Sequence, residues 1–233
     1  MQEINFDTAL RYDPVIKIIN KFKYKKYPIL EVGSGMNGIS DYYNGKVIGL
    51  DSDFTRTGIS KNLNITHIRG QATKLPLKDN LFYIVICLDT LEHLLNNKRE
   101  KVISELLRVT RKGGRIFLGF PSGDLSKKFE EKILHLYKNK YKKDHPWLIE
   151  HKIYGLPTGK QVFDVLQKKG IIPDRIKVIN NANLLVWFVI HFLFTVHSSS
   201  IISKFLKLFY VVLNKLFKVH LPPYYRLIFI INK

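Results

Sequence analysis

Short apolar runs alternate with longer amphipathic stretches from residue 28 onward. An apolar run of four to eight residues between turn residues is typical of a buried strand, whereas apolar positions spaced by three and four are typical of a helix. The patterns predict strands near residues 28–33, 46–51, 65–69, 82–88, 114–120, 175–180 and 224–233. They predict helices near residues 37–43, 54–62, 97–110 and 158–169. Because strands and helices alternate through short connections, we expect an α/β fold with a parallel, doubly wound sheet.

The first predicted strand runs into a glycine-rich loop. Gly33, Gly35 and Gly38 form a G-x-G-x-x-G motif. Glycines allow positive φ and a close ligand approach, and the N-terminus of a following helix faces the ligand. Alone, the motif fits a dinucleotide site, an S-adenosylmethionine site or only a tight strand-to-helix turn. Asp51 ends the second predicted strand 18 residues after Gly33, where a carboxylate can accept hydrogen bonds from both ribose hydroxyls.

The stretch GQATKLPLKDNLFYIVICLDTLEHL, residues 70–94, decides between these alternatives. It resembles the class I S-adenosylmethionine-dependent methyltransferases (methyltransferase type 11-like). Their third and fourth strands carry G-D-A-x-x-L-P-F-x-D-x-x-F-D-x-V, often followed by L-E-H, whereas NAD enzymes share only the first two strands. The resemblance spans about residues 28–122. It implies a Rossmann-like doubly wound seven-stranded sheet, with the last strand antiparallel to the others.

Two positions depart from the family pattern. Gln71 stands where the family usually has an acid that accepts from the adenine amino group, and Tyr83 stands where Asp is common. A glutamine can still accept through its amide oxygen, so binding is retained in principle. We therefore expect a cofactor site of weaker affinity.

Three separated motifs narrow the resemblance. The string HPWLIEHKIYGLP, residues 145–157, resembles a block of a largely uncharacterised bacterial and archaeal branch of these methyltransferases. That branch also carries R-Y-x-P-V near the N-terminus and P-P-x-Y-R before the last strand. This chain has RYDPV at 11–15 and PPYYR at 222–226. The motifs indicate the branch but not its substrate.

The resemblance implies S-adenosyl-L-methionine as the cofactor. Glu31 is expected to contact its amino group through water, the glycine loop its methionine moiety, Asp51 its ribose and Gln71 its adenine. Helices before the first strand often close over the cofactor in this family, so Arg11 and Tyr12 are candidates to reach it; the alternative is a packing helix with a solvated lysine face. The complete expected set of cofactor-binding residues is Glu31, Gly33, Ser34, Gly35, Asp51, Ser52, Gln71, Ala72 and Leu88.

Methyl transfer from a sulfonium needs two reactants held in line, a proton acceptor for some nucleophiles, and no metal. The candidate bases are His93 in LEH, His151 in IEH, and Asp89 just past the fourth strand. Histidine titrates near neutrality and suits this role. The alternative for each histidine is a structural pairing with its neighbour, Glu92 or Glu150. A carboxylate or neutral amine acceptor would need no base at all.

The net charge of the chain indicates which classes of methyl acceptor to consider. The 233 residues carry 38 Lys and Arg against 19 Asp and Glu, a net charge of +19. Such a field attracts polyanions, so RNA, anionic lipid surfaces and phosphorylated substrates are all candidates. The alternative is that the charge reflects only a compositional bias toward lysine.

The single cysteine, Cys87, lies in an apolar strand and is predicted to be a buried small hydrophobe. No signal-peptide pattern opens the chain, so we expect a reducing cytoplasm.

We predict one domain over residues 1–233, with substrate recognition in 121–158 and an apolar, amphipathic helical insertion at 181–223. The apolar run at 184–196 is too short to span a bilayer, which needs about 20 residues. In residues 201–219 the lysines share one face of a predicted helix: Lys204, Lys207, Lys215 and Lys218. Such a helix either covers the protein's own core or lies in a membrane interface.

The leading hypothesis is therefore a methyltransferase acting on a small or lipid-linked acceptor, cytoplasmic or peripheral to the membrane. An RNA methyltransferase is the second hypothesis. Against it, the sequence shows no added RNA-binding module, and LDTL follows strand four in place of an N-P-P-Y-type motif. A non-catalytic protein that binds S-adenosylmethionine is the third.

Overall fold

The computed structural model describes residues 6–36, 38–197 and 221–233. Seven strands form one sheet in the order β3-β2-β1-β4-β5-β7-β6. The strands are β1 Ile29–Val32, β2 Val47–Asp51, β3 Ile65–Arg69, β4 Phe82–Leu88, β5 Thr110–Pro121, β6 Ile176–Asn183 and β7 Tyr224–Asn232. Strands β1 to β5 are parallel, and β7 runs antiparallel to both β5 and β6. The expected doubly wound sheet with an antiparallel last strand is confirmed.

Helices connect the strands. They are α1 Phe6–Ile19, α2 Phe54–Thr57, α3 Asn96–Val109, α4 Asp124–Tyr141, α5 Leu148–Tyr154, α6 Gly159–Lys168 and α7 Leu184–His191. The predicted helices at 97–110 and 158–169 are confirmed as α3 and α6. Helix α6 begins at a capping box, because the Thr158 hydroxyl accepts from the Gln161 N–H at 3.2 Å and the Gln161 amide oxygen accepts from the Thr158 N–H at 3.0 Å.

Three predicted boundaries were wrong. The helix expected at 37–43 is only a 3₁₀ turn, Ile39–Asp41. The helix expected at 54–62 ends at Thr57, because Gly58 adopts φ +79° and leaves the helical region. Strand β5 starts at Thr110 rather than at 114, and Gly113, with φ +73°, lies in an irregularity of this strand.

The sheet buries an apolar cluster on each face. Side chains of β4 alternate between the two faces, so Val85 and Cys87 pack with α3 and α6, whereas Ile84 and Ile86 pack with α1. Cys87 is fully buried, as predicted, and burial raises the pKa of its thiol to about 12. The two helical layers therefore fix both faces of the strand that leads into the candidate site.

The first part of the predicted insertion belongs to the core. Strand β6 continues to Asn183, and α7 follows it directly. Leu184 and Trp187 of α7 are buried against α4, α5 and Tyr225. Within the described ranges, no helix is long and apolar enough to cross a membrane. The lysine ridge predicted for residues 201–219 lies outside the described residues.

Candidate functional site

The sheet order reverses between β1 and β4, because the chain passes from β1 outward to β2 and β3 and then returns to the other side of β1. In open α/β sheets, ligands bind at the carboxyl ends of the strands where this reversal occurs. Gly33, Asp51 and Leu88 lie at the carboxyl ends of β1, β2 and β4. The topology thus brings the glycine motif and the acid of the second strand to one edge.

The glycine loop is fixed onto β2. The N–H groups of Gly33 and Ser34 donate to the Leu50 carbonyl at 2.7 and 3.2 Å. Gly33 and Gly35 both adopt positive φ, +78° and +49°. A Cβ on Gly33 would lie 2.2 Å from the Thr90 hydroxyl oxygen. Both the conformation and the space therefore require glycine at position 33.

Asp51 is buried against the same loop. Its two carboxylate oxygens accept from the N–H groups of Gly35 and Asp53, each at 3.0 Å. A carboxylate oxygen can accept a second hydrogen bond, so Asp51 retains capacity for two hydroxyls of a ligand. The hydroxyl of Ser34 is buried and has no hydrogen-bond partner among residues 6–36, 38–197 and 221–233. Ser52 is exposed beside Asp51.

Glu31 links β1 to its neighbours. Its carboxylate accepts from the Tyr12 hydroxyl at 2.6 Å and from the Ile39 N–H at 3.0 Å. Burial raises the pKa of Glu31 from 4.5 to about 7, although the hydrogen bonds from Tyr12 and Ile39 oppose that shift. Tyr12 is itself buried, so it is not part of a solvated helix face. The expected water-mediated contact of Glu31 with a cofactor stays a prediction.

Because the pKa of Glu31 is raised in the folded protein, we expect the free energy of unfolding to depend on pH. Below pH 4.5 the carboxyl is protonated in both the folded and the unfolded state, so burial costs little. Above that value only the unfolded state ionises freely, and stability is lost until the folded carboxyl ionises near pH 7. Relative to Glu31→Gln, the wild-type free energy of unfolding should fall by about 3 kcal/mol across this window. Urea unfolding of both proteins between pH 4.5 and pH 8 measures it, and a flat difference would contradict the assignment.

The remaining expected cofactor residues lie along the same edge. Gln71 follows β3, is exposed, and forms an isolated bridge with Lys74. Ala72 packs against the core, and Leu88 is buried at the end of β4. All three therefore lie at or just beyond the strand ends, and their contacts with a cofactor stay predictions.

Tyr83 lies at the opposite end of β4. Its ring stacks on that of Tyr24 with centroids 3.8 Å apart, and Tyr27 and Arg111 also contact it. This departure from the family pattern therefore builds an aromatic cluster away from the glycine loop. Of the two departures from the family pattern, only Gln71 lies at the edge of the sheet where the cofactor is expected to bind.

Asp89 is held between two arginines. The Arg226 Nε donates to its carboxylate at 2.6 Å, and the Arg11 Nε lies 3.0 Å from it. Burial would raise the pKa of Asp89, but the two guanidinium groups outweigh burial and lower it. An anion stabilised in this way is a poor proton acceptor, so the geometry disfavours Asp89 as the base. Arg226, which also donates to Asn181 at 2.9 Å, is fully buried.

The two candidate histidines meet. His93 Nδ1 lies 2.8 Å from Glu150, and His151 Nδ1 lies 3.1 Å from Glu130. Their Nε2 atoms face each other at 3.5 Å. Each histidine thus pairs with a carboxylate, but not with its sequence neighbour as the structural alternative expected. The Tyr225 hydroxyl donates to Glu130 at 2.6 Å and extends the network.

Glu92 completes this cluster. It is 1% exposed, and neither carboxylate oxygen accepts a hydrogen bond from another residue in the described part of the chain. Burial, together with the negative charge of Asp89, raises the pKa of Glu92 to about 8. Glu92, His93 and His151 each offer a ligand atom within 4.8 Å of the others. Sequence reasoning considered Glu92 only as a partner of His93.

The three branch motifs converge on LDTLEH at the end of β4. RYDPV supplies Arg11, HPWLIEH supplies His151, and PPYYR supplies Arg226. Sequence reasoning noticed these strings but did not assign a role to Arg226. It also missed Glu130, because acidic residues in a strongly basic helix are typical of a solvent-exposed face.

Comparison with known proteins supports the architecture. A family model described as "Methyltransferase domain" matches residues 30–118. The fold is similar to that of an S-adenosylmethionine-dependent methyltransferase from Archaeoglobus fulgidus, with a TM-score of 0.56 and 14% identity, covering 97% of this chain and 94% of that one. It is also similar to Haemonchus contortus phosphoethanolamine N-methyltransferase 2 bound to S-adenosyl-L-methionine, with a TM-score of 0.59 and 18% identity, covering 95% of this chain and 52% of that one.

Two curated relatives are uncharacterized proteins of Methanocaldococcus jannaschii. One is 32% identical over 143 residues, which is 60% of this chain and 62% of the relative. The other is 27% identical over 124 residues, which is 49% of this chain and 50% of the relative. The alignments thus span between half and just under two thirds of the relatives' length.

Proposed function

This chain contains a class I S-adenosylmethionine-dependent methyltransferase domain, and we propose that it transfers a methyl group to a small or lipid-linked acceptor at a membrane surface. The observation that carries the proposal is the glycine loop beside Asp51 at the switch point of the sheet. Gly33, with φ +78°, keeps the loop backbone free of a side chain at this edge, as a closely approaching ligand needs.

The residues at this edge fit the cofactor. Asp51 would accept from the ribose hydroxyls, Gly33 to Gly35 would line the methionine moiety, and Gln71 would meet the adenine. The buried Ser34 hydroxyl, which lacks a partner among the described residues, gives a ligand a polar group to satisfy. The cofactor supplies a sulfonium methyl group. The protein's part is to hold both reactants in line and to exclude water.

The histidine pair is the proposed place of proton removal from the acceptor. His93 retains 24% side-chain exposure, whereas His151 retains 6%, so His93 is the better placed of the two to meet an acceptor. Glu150 and Glu130 orient the two rings. Residues 121–158, which supply His151 and both carboxylates, are accordingly proposed to recognise the acceptor.

Charge and apolar exposure support an acceptor at a lipid surface. The net charge is +19. Helix α7 leaves Leu185 and Val189 54% and 49% exposed, and it is followed in sequence by residues 201–219, for which a lysine ridge is predicted. Apolar groups next to lysines favour an anionic membrane interface. The Haemonchus contortus enzyme has also been seen in complex with phosphomonomethylethanolamine, a small molecule that carries a phosphate.

A methyl-label experiment tests this function. The protein is incubated with methyl-labelled S-adenosylmethionine, RNA and anionic vesicles made from a total lipid extract. We expect label in the organic phase. Each lysine near an anionic surface contributes about 1 kcal/mol, so replacing Lys204, Lys207, Lys215 and Lys218 by glutamine should weaken vesicle co-sedimentation by about 100-fold or more. Lipid labelling should fall with it.

The matched control removes the same number of positive charges from another part of the protein surface. It replaces four exposed lysines by glutamine: Lys98, Lys101, Lys112 and Lys168. Substitutions are preferable to deleting the insertion, because Leu184 and Trp187 are part of the core. Equal co-sedimentation of the two variants would contradict the membrane part of the proposal. Label recovered in RNA would favour the RNA methyltransferase hypothesis instead.

A further inference from the structure

We propose that Glu92, His93 and His151 bind a divalent transition-metal ion, with zinc as the best match. One ligand atom from each residue lies within 4.8 Å of the other two. Glu92 and His93 belong to the 3₁₀ turn Leu91–His93 at the end of β4, and His151 belongs to α5. Two separate elements therefore present the donor set.

The orientation of the histidine rings leaves two lone pairs facing each other. A carboxylate only accepts hydrogen bonds, so Glu150 and Glu130 place a proton on the Nδ1 of His93 and of His151, respectively. Each neutral ring then carries its lone pair on Nε2. These two atoms are 3.5 Å apart. Two lone pairs at this distance repel unless a proton or a cation lies between them.

A second histidine pair shows the contrast. His145 Nε2 lies 3.4 Å from His191 Nε2, but His145 Nδ1 accepts from the N–H groups of Trp147 and Leu148. The proton of His145 is therefore on Nε2, and it can donate to His191 directly. This pair needs no cation, which sets it apart from His93 and His151.

Glu92 favours a metal over a shared proton. A single proton between the histidines would leave both oxygens of Glu92 without a partner among the described residues, at 1% exposure. The guanidinium groups of Arg11 and Arg226 form ion pairs with Asp89. A divalent cation would satisfy Glu92 and both Nε2 atoms together.

The donor set suits zinc, and the spacing of the two histidines is close to that of a zinc site. Zinc–nitrogen bonds of about 2.0–2.1 Å in a tetrahedral site separate the ligand atoms by about 3.4 Å. The two Nε2 atoms are already at that distance, 3.5 Å, and Glu92 would have to move closer. Two histidines and one glutamate form a set that leaves a fourth position open. The carboxylate behind each ring, Glu150 or Glu130, is the partner that ligating histidines usually have.

The open position gives the site a role at the reaction edge. With the metal bound, both Nε2 lone pairs are occupied, so the two histidines would serve as ligands and would not take the proton themselves. A hydroxyl acceptor at the open position would have a lowered pKa and would release its proton to solvent before it accepts the methyl group. This role rests on the proposed methyltransferase function, whereas metal binding does not. The two are therefore measured separately.

Titration calorimetry of the chelator-treated full chain with Zn²⁺ tests the site. We expect one saturable site in the wild type, and affinity lower by about 100-fold or more in His93→Ala and His151→Ala. Glu130→Gln should weaken binding by about 10- to 100-fold, because it only positions His151. Cobalt substitution should give the intense visible bands of a tetrahedral site in the wild type.

The matched control is His191→Ala, which breaks the second histidine pair and should leave zinc affinity unchanged. Far-ultraviolet circular dichroism and S-adenosylmethionine affinity report whether each variant is folded. His93→Gln or His151→Gln replaces the corresponding alanine variant if that variant does not fold. Absence of a saturable site in the wild type would overturn the proposal. So would zinc affinity equal to that of the wild type in the folded His93 and His151 variants, because binding would then occur elsewhere.

Discussion

Gly33→Ala should lower the free energy of unfolding by about 2–5 kcal/mol. Holding an alanine at φ +78° costs about 1–2 kcal/mol, because its Cβ crowds the following carbonyl. The new Cβ would also lie 2.2 Å from the Thr90 hydroxyl oxygen, and overpacking costs about 1–3 kcal/mol more. Gly33→Val should be worse still. Urea unfolding measures the loss, and S-adenosylmethionine affinity should fall with it.

Gly113→Ala separates strain from crowding. Gly113 has nearly the same φ, +73°, but a Cβ at this position would meet nothing within 4 Å among the described residues. The variant should therefore lose only about 1–2 kcal/mol. Adding Thr90→Ala to Gly33→Ala should recover part of the larger loss, because it removes the two nearest atoms, Thr90 Oγ1 at 2.2 Å and Cγ2 at 3.0 Å. Equal losses at positions 33 and 113 would show that the loop has no tight contact with Thr90.

Asp51→Ala should weaken S-adenosylmethionine binding by about 10- to 150-fold, corresponding to about 1.5–3 kcal/mol. Two effects contribute. The ribose loses a charged acceptor, and the N–H groups of Gly35 and Asp53 lose the carboxylate that orders the loop. Calorimetry on wild type and variant at the same salt concentration measures the change.

Asp164→Ala is the matched control for this change. Asp164 is on α6, half exposed, and pairs only with Lys160 at 2.6 Å among the described residues. Surface pairs of this kind contribute about 0–1 kcal/mol, so cofactor affinity should not change. If Asp51→Ala bound the cofactor as tightly as Asp164→Ala, Asp51 would not belong to the site.

The sheet was predictable because its strands are apolar runs bounded by glycine and polar residues. Boundaries set by single backbone conformations were not. Gly58 ends α2 early, although the predicted helix ran through it, and Gly113 lies inside β5, although the predicted strand began after it. Sequence patterns report burial well, but they do not show which φ a glycine adopts.

The candidate site was predictable only where its residues lie close together in the sequence. The glycine loop and Asp51 follow consecutive strands and were found from their spacing. The histidine network was not, because His93 and its partner Glu150 are 57 residues apart. Arg226 and Asp89 are 137 residues apart, and no local pattern links them. The PPYYR and RYDPV strings were the available signals.

Calorimetric titration of the wild-type protein with S-adenosylmethionine, with NAD⁺ titrated in parallel, is the most direct test of the cofactor assignment. The glycine loop, Asp51 and the block at residues 70–94 predict one saturable site for S-adenosylmethionine, competed by S-adenosylhomocysteine, and no heat with NAD⁺. No binding of S-adenosylmethionine, or tighter binding of NAD⁺, would show that this edge of the sheet serves another ligand.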